Sequence, residues 1–283
     1  MWVLKSGHKV INSKGVRAMK IYQVDAFTRK KFTGNPAAVC ILPDGFEPEK
    51  TWMQDIAAEM NLSETAFVKT TDSCKSGGVY SLRWFTPMKE VDLCGHATLA
   101  AAHILWEEGF LAKDQPALFE TKSGLLEVSL GDDHMTMNFP ADDVIPCKEP
   151  VSLDMALGCP VISTHKAGQD LLVEVKDEQT ISSIMPSYLQ LSILSARCII
   201  VTAEGDHVDF VSRVFCPACG IDEDPVTGST HCSLTPFWAE RLGKTKMQAL
   251  QISERGGTLT VELLGDRVNI SGQAVTIFKG ELF

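Results

Sequence analysis

The chain has 283 residues, 45% of them hydrophobic and 22% charged, with a formal net charge of −10. That length exceeds one small core and suits two domains, and the composition is that of an ordinary globular protein rather than a disordered one. An acidic chain without a Lys/Arg block is excluded as a nucleic-acid binder, and the longest apolar run, Ala97 to Trp106, is too short to span a bilayer.

Residues 1–18 carry four Lys/Arg and no acid, and read as an extension ahead of a second start at Met19. Lys20 to Phe27 has the pattern of a first strand, Phe32-Thr33-Gly34-Asn35-Pro36 that of a turn, and Ala37 to Leu42 that of a second strand. From Pro48 a helix is predicted, with Trp52, Ile56 and Met60 on one face at steps of four. It delivers the chain to Glu64, whose neighbours Leu62, Phe67 and Val68 predict partial burial and a raised pKa; a salt bridge is the commoner use of such a glutamate. A first domain, 19–143, ends at the Pro- and Asp-containing junction around Pro140 to Pro146, and a second occupies 144–283. In the second, Ser152 to Leu157 reads as a short helix and Leu171 to Val175 as a strand. Glu178 to Leu194 reads as a helical stretch broken at Pro186, and Ile199 to Thr202 and His207 to Phe215 as strands.

Two turns stand out. Asp224-Pro225-Val226-Thr227-Gly228-Ser229-Thr230 runs into the apolar stretch Leu234 to Leu242, and Cys94-Gly95-His96-Ala97-Thr98 opens a similar stretch reaching about Leu111. Such turns leave backbone N–H groups aimed at one spot with the positive helix end behind them, a setting for an anion. Arg83, Phe85 and Pro87 precede the first turn, as Arg213, Phe215 and Pro217 precede the second, and Trp106 and Trp238 follow inside the helices. Gly95 and Gly228 are 133 residues apart, as are Gly124 and Gly257, and each later glycine leads into an alternating strand. The chain reads as a diverged duplication of whole domains, with a small-molecule site expected between its halves. Gly95, Gly228, Ser229 and Thr230 are the candidate substrate-binding positions.

The halves differ where chemistry is expected. Glu64 has no acidic counterpart in Ser195 to Val201, and Asp224 faces Val91 in the first copy, so the two carboxylates suit an acid and a base with separate tasks. His96, at its helix start, suits a proton shuttle or a substrate hydrogen bond as well as a helix cap. His231 suits packing or surface, and His103 a core. Cys216-Pro217-Ala218-Cys219 lacks the second ligand pair of a zinc site and the helix of a redox motif. The nine cysteines, odd in number and scattered, predict reduced thiols in a cytosolic protein. Cys94 has Thr227 at the matching position, and a hydroxyl is too weak an acid or base for a two-thiol proton transfer. The surviving candidates are Glu64, His96 and Asp224.

Gly34-Asn35-Pro36-Ala37-Ala38-Val39, Met60-Asn61-Leu62-Ser63-Glu64-Thr65, Arg83-Trp84-Phe85-Thr86-Pro87, Cys94-Gly95-His96-Ala97-Thr98 and Glu223-Asp224-Pro225-Val226-Thr227-Gly228-Ser229 resemble, in that order, motifs of the phenazine-biosynthesis PhzF family. The resemblance runs from about Met19 to the C-terminus. It implies a diaminopimelate epimerase-like α/β (α+β) fold: two pseudo-symmetric domains, each a curved, mostly antiparallel sheet around a central helix, here Ala97 to Leu111 and Thr230 to Leu242. It also implies a homodimeric isomerase that moves a hydrogen on a small carboxylate-bearing molecule without metal or organic cofactor. The family's acid/base glutamate matches Glu64, its histidine matches His96, and its second-turn aspartate and serine match Asp224 and Ser229. Ala97 stands where many members have proline. The rival expectation is a scaffold retired from catalysis and used for binding a partner or ligand.

Overall fold

The structure, a computed structural model, describes residues 19–43, 45–70 and 78–282; the extension expected at 1–18 lies outside them. The first stretch runs through β1 (Met19–Ala26), β2 (Asn35–Ile41), α1 (Lys50–Met60), β3 (Glu64–Thr70), β4 (Val79–Phe85), β5 (Glu90–Val91) and α2 (Gly95–Glu107), then β6 (Ala117–Thr121), β7 (Gly124–Leu130) and β8 (Met135–Pro140). The second runs through β9 (Val144–Pro146), α3 (Leu153–Leu157), β10 (Ser163–Ala167), β11 (Asp170–Glu174), α4 (Glu178–Ser183), α5 (Tyr188–Ser192), β12 (Ile199–Glu204) and β13 (Phe210–Cys216). It continues through β14 (Ile221–Asp224), α6 (His231–Leu242), β15 (Lys246–Gln251), β16 (Gly257–Leu264) and β17 (Arg267–Gly272) before β18 (Ala274–Leu282) closes the chain.

Two compact units result, one of residues 19–32, 36–137 and 273–282, the other of 33–35 and 138–272. The halves drawn from sequence at 143/144 differ from these in three places, one being that residues 138–143 belong to the second unit. β18 pairs antiparallel along the whole of β1, from Met19 opposite Leu282 to Ala26 opposite Ala274, and so joins the first unit. Residues 33–35 join the second unit: the Arg255 guanidinium donates to the carbonyls of Gly34 and Thr33 at 2.8 and 3.2 Å, and Gly34 N–H donates to Gly256 O at 2.7 Å.

Each unit is built around a helix buried on nearly every side. α2 is Ala-rich, so strands can approach it closely, and ten of its residues from His96 to Trp106 are buried. α6 starts at His231, one residue later than predicted, and contains Pro236. A proline there cannot donate to the carbonyl one turn back at Cys232, and that carbonyl instead accepts from Asp142 N–H at 3.0 Å. The helical tryptophans are anchored by their indole N–H groups, Trp106 on Gln115 O at 3.1 Å and Trp238 on Thr202 Oγ1 at 2.9 Å. On α1 the most buried residues are Met53 and Ala57, while Trp52, Ile56 and Met60 pack around the same cluster partly exposed. The predicted face is thus centred one residue further on.

The internal repeat holds strand by strand. β3 runs antiparallel to β4 with Thr65 opposite Phe85, and β12 runs antiparallel to β13 with Ile199 opposite Phe215. β4 continues parallel to β6, as β13 does to β15. Arg83 lies over the Phe85 ring and donates to Glu90 at 2.8 Å; Arg213 lies over the Phe215 ring and donates to Glu223 at 2.7 Å. Burial alone would raise the Glu90 pKa, yet hydrogen bonds from Arg83, Lys122 and Lys50 hold it at about 2.

One expectation about the cysteines is corrected. Cys198 and Cys216 form a disulfide, 18 residues apart in sequence, where reduced thiols were expected. The pairing follows from the β12–β13 register, one step beyond Ile199 opposite Phe215, and so is not visible in motif spacing. Among the described residues no helix is long and apolar enough to cross a membrane.

Candidate active site

Asn61, in the left-handed conformation with φ 49°, ends α1 and turns the chain into β3, whose first residue is Glu64. Beside the middle of β2, Glu64 pairs with Ala37 in parallel register and keeps 18% of its side chain exposed, the partial burial that its apolar neighbours predict. The start of α2 meets it. Cys94 is the N-cap, with extended backbone and no side-chain capping bond. Gly95, His96 and Ala97 follow, and their N–H groups have no protein acceptor among the described residues, as the first turn of a helix requires.

His96 does not cap the helix. Its Nδ1 lies 3.4 Å from Cys94 Sγ, and its Nε2 lies 3.2 Å from Glu64 Oε2. The second contact has the distance of a hydrogen bond but is off its axis, leaving Nε2 without a well-aligned partner among the described residues; catalytic hydrogen bonds commonly tighten only when substrate binds. The imidazole is 5% exposed, and burial lowers its pKa to about 3, so the ring is neutral at ordinary pH. Donor atoms of Glu64, Cys94 and His96 come within 4.8 Å of one another, a grouping that a soft cation accepts, although the positive end of α2 opposes one.

The second unit holds the other candidates. β14 brings Asp224 opposite Val214, as β5 brings Val91 opposite Trp84, so Asp224 occupies the place of Val91. The same register puts Cys198, tied in its disulfide, where the first unit has Glu64. Both Asp224 oxygens are engaged: Asn35 Nδ2 donates to Oδ1 at 2.8 Å, and Thr227 Oγ1 donates to Oδ2 at 2.5 Å. Although the residue keeps some exposed surface, burial pushes its carboxyl up to about 6 against the pull of the Thr227 and Asn35 hydrogen bonds.

Two residues that hold this turn escape motif reading. Asn35 is fully buried and also donates to Val226 O at 2.8 Å; its sequence signal is that of a turn only. Gln251, fully buried at the end of β15, donates to Asp224 O at 2.7 Å and accepts from Thr227 N–H at 2.8 Å. No sequence pattern marks it. Gly228, Ser229 and Thr230 form a tight turn before α6, with His231 and Cys232 N–H bonding back to Gly228 and Ser229 carbonyls. The N–H groups of Gly228, Ser229 and Thr230 have no protein acceptor among the described residues. His231 is packing, as expected: it is fully buried with Nδ1 2.9 Å from Thr227 O. His103 is half-buried rather than core, with Nε2 3.0 Å from Thr276 Oγ1. A groove of about 760 Å³ in the second unit, lined in part by Lys166, Asp170 and Arg197, contains none of the candidate residues.

A family model for phenazine biosynthesis-like protein (PhzC-PhzF) matches residues 24–280. The chain belongs to this family. It is 47% identical to an uncharacterized isomerase of Halalkalibacterium halodurans over 93% of this chain and 97% of that protein. It is 37% identical to the human phenazine biosynthesis-like domain-containing protein, over 93% and 99%. Its structure is similar to that of a PhzF-family protein of Enterococcus faecalis, with a TM-score of 0.89 and 43% identity covering 94% of this chain and 99% of that one. A predicted epimerase of Pseudomonas aeruginosa, 19% identical with a TM-score of 0.72, shares the fold. The fold is thus the diaminopimelate epimerase-like one that the sequence motifs imply.

The buried groups make stability depend on pH. His231, like His96, has its pKa lowered by burial, to about 4 from 6.5, whereas that of Asp224 is raised to about 6 from 3.8. Near pH 5 the two histidines bind protons only when the chain unfolds, and Asp224 binds one only while it is folded. Unfolding therefore takes up about one net proton from these three groups, and they should lower stability by on the order of 1 kcal/mol on acidification from pH 6 to 5. Urea unfolding across that range measures the slope, and His231→Gln should reduce it by about one proton.

Proposed function

We propose that the protein is a cofactor-independent isomerase that moves a proton on a small carboxylate-bearing substrate, with Glu64 as the general acid/base. The observation that carries this reading is the Glu64 carboxylate set against a neutral, buried imidazole at the open N–H end of α2. The base sits where negative charge on the substrate would be stabilised. Glu64 takes a proton from carbon; the electron pair left behind is delocalised toward the substrate carboxylate, which the N–H groups of Gly95 and His96 hold. Glu64–H then returns the proton to another carbon on the same face, and the carboxylate is regenerated. His96, neutral, donates a hydrogen bond rather than a charge.

The second turn offers a like set of donors at Gly228, Ser229 and Thr230, with Asp224, its carboxyl pushed up by burial to about 6, for orientation or a second proton. Relatives named as isomerases support the reaction class. The test is to screen small cyclic and amino carboxylates for thermal stabilisation and to follow those that bind by NMR for new positional isomers. A ligand at a hundred times its Kd should stabilise by about 2.7 kcal/mol. Compounds that bind tightly and are never converted would favour the rival reading, a scaffold used for binding.

A further inference from the structure

Cys94 has no part in the proposed proton transfer, yet it is buried against the imidazole that faces the proposed base. A neutral imidazole carries one N–H, on Nδ1 or on Nε2, and the hydrogen bond made by one nitrogen decides what the other presents. Placing the proton on Nδ1 would aim it at a thiol sulfur, a weak acceptor, and would leave the Nε2 lone pair 3.2 Å from a carboxylate oxygen. Placing it on Nε2 turns the hydrogen toward the carboxylate oxygen, 3.2 Å away though off the axis of a hydrogen bond, and leaves Nδ1 to accept from the thiol.

We infer that Cys94 is a positioning residue: its thiol donates S–H to Nδ1 of His96 and thereby holds the ring's N–H on Nε2, on the side of Glu64. The duplicated turn repeats the device with other atoms. Thr227 stands before Gly228 as Cys94 stands before Gly95, and its hydroxyl donates to Asp224 Oδ2 at 2.5 Å. In each unit the residue ahead of the glycine spends its side-chain hydrogen on the titratable group of its own turn. A donor at this position sets which face of His96 is the donor face.

The inference rests on the proposed function only for its catalytic consequence, because the tautomer can be read without substrate. Full-length protein labelled with 15N-histidine and purified with a chelator would be observed at pH 7 by long-range 1H–15N correlation, His96 being assigned from its loss in His96→Gln. In the wild type the Nε2–H form should exceed the Nδ1–H form several-fold, the scale of one ordinary hydrogen bond of about 1 kcal/mol. Cys94→Ser, which keeps a donor, should retain that preference, and Cys94→Ala should reduce it several-fold. Cys94→Val replaces the alanine variant if that does not fold. An Nδ1–H wild type, or an unchanged tautomer ratio in Cys94→Ala or Cys94→Val, would overturn the inference. A shifted ratio with unaltered hydrogen exchange on a substrate would uphold it while counting against the catalytic pairing of His96 with Glu64.

Discussion

Glu64→Gln is expected to cut turnover by a factor of about a hundred or more while leaving the fold and ligand stabilisation in place. Glutamine keeps the length and the hydrogen-bonding outline of the side chain but cannot take a proton from carbon. Its amide can still accept from His96 Nε2, 3.2 Å from the present carboxylate oxygen. Glu64 also keeps part of its side chain in contact with solvent, so the change empties no core volume, and unfolding midpoints should move little. The separation of effects is the informative part. A general acid/base lost by mutation shows in kcat, whereas a residue that only binds would raise KM with kcat unchanged.

The second large effect is expected at Asn35→Ala. Two hydrogen bonds disappear, one to the Asp224 carboxylate and one to Val226 O, at a site with no exposed surface. Leaving a buried carboxylate and a buried carbonyl each short of a donor should cost about 2–4 kcal/mol. The loss should be greater at pH 8 than at pH 5, because the bond to Asp224 is charge-assisted only when the carboxyl is ionised, above about 6. The sign on the pKa follows: with one lowering hydrogen bond removed, Asp224 should titrate above its present value. Denaturation at the two pH values measures the first effect, and 13C NMR of the Asp224 carboxyl the second. Equal destabilisation at both pH values would mean that Asn35 acts only on Val226 and the loop.

The duplication was legible because the parts that repeat are those that packing demands twice. An arginine over a phenylalanine beside a buried glutamate, a helical tryptophan anchored to a backbone or hydroxyl oxygen, and a glycine turn ahead of the helix all recur at constant spacing. The equivalence of Val91 with Asp224, inferred from that spacing, is the one the strand register makes. Glu64, Cys94 and His96 were legible as separate signals, and the structure brings the three together. What stayed hidden depends on pairings between distant segments. Gln251 reaches Asp224 across 27 residues and Asn35 across 189, and neither residue type is unusual in its local pattern. Cys198 and Cys216 are joined by sheet register rather than motif spacing. The last strand returns to β1 for the same kind of reason: its partner is chosen by an open edge at the other end of the chain, which no local window contains.

The central claim, that Glu64 moves a proton to and from carbon, is tested most directly by NMR in D2O. Wild type and Glu64→Gln would be incubated side by side with the carboxylates that stabilise the protein, and the substrate and product signals followed for carbon-bound deuterium and for isomerisation. The account predicts that the wild type incorporates deuterium or forms the isomer and that the variant, still folded and still binding, does so at least about a hundredfold more slowly. Equal rates in the two proteins would contradict it.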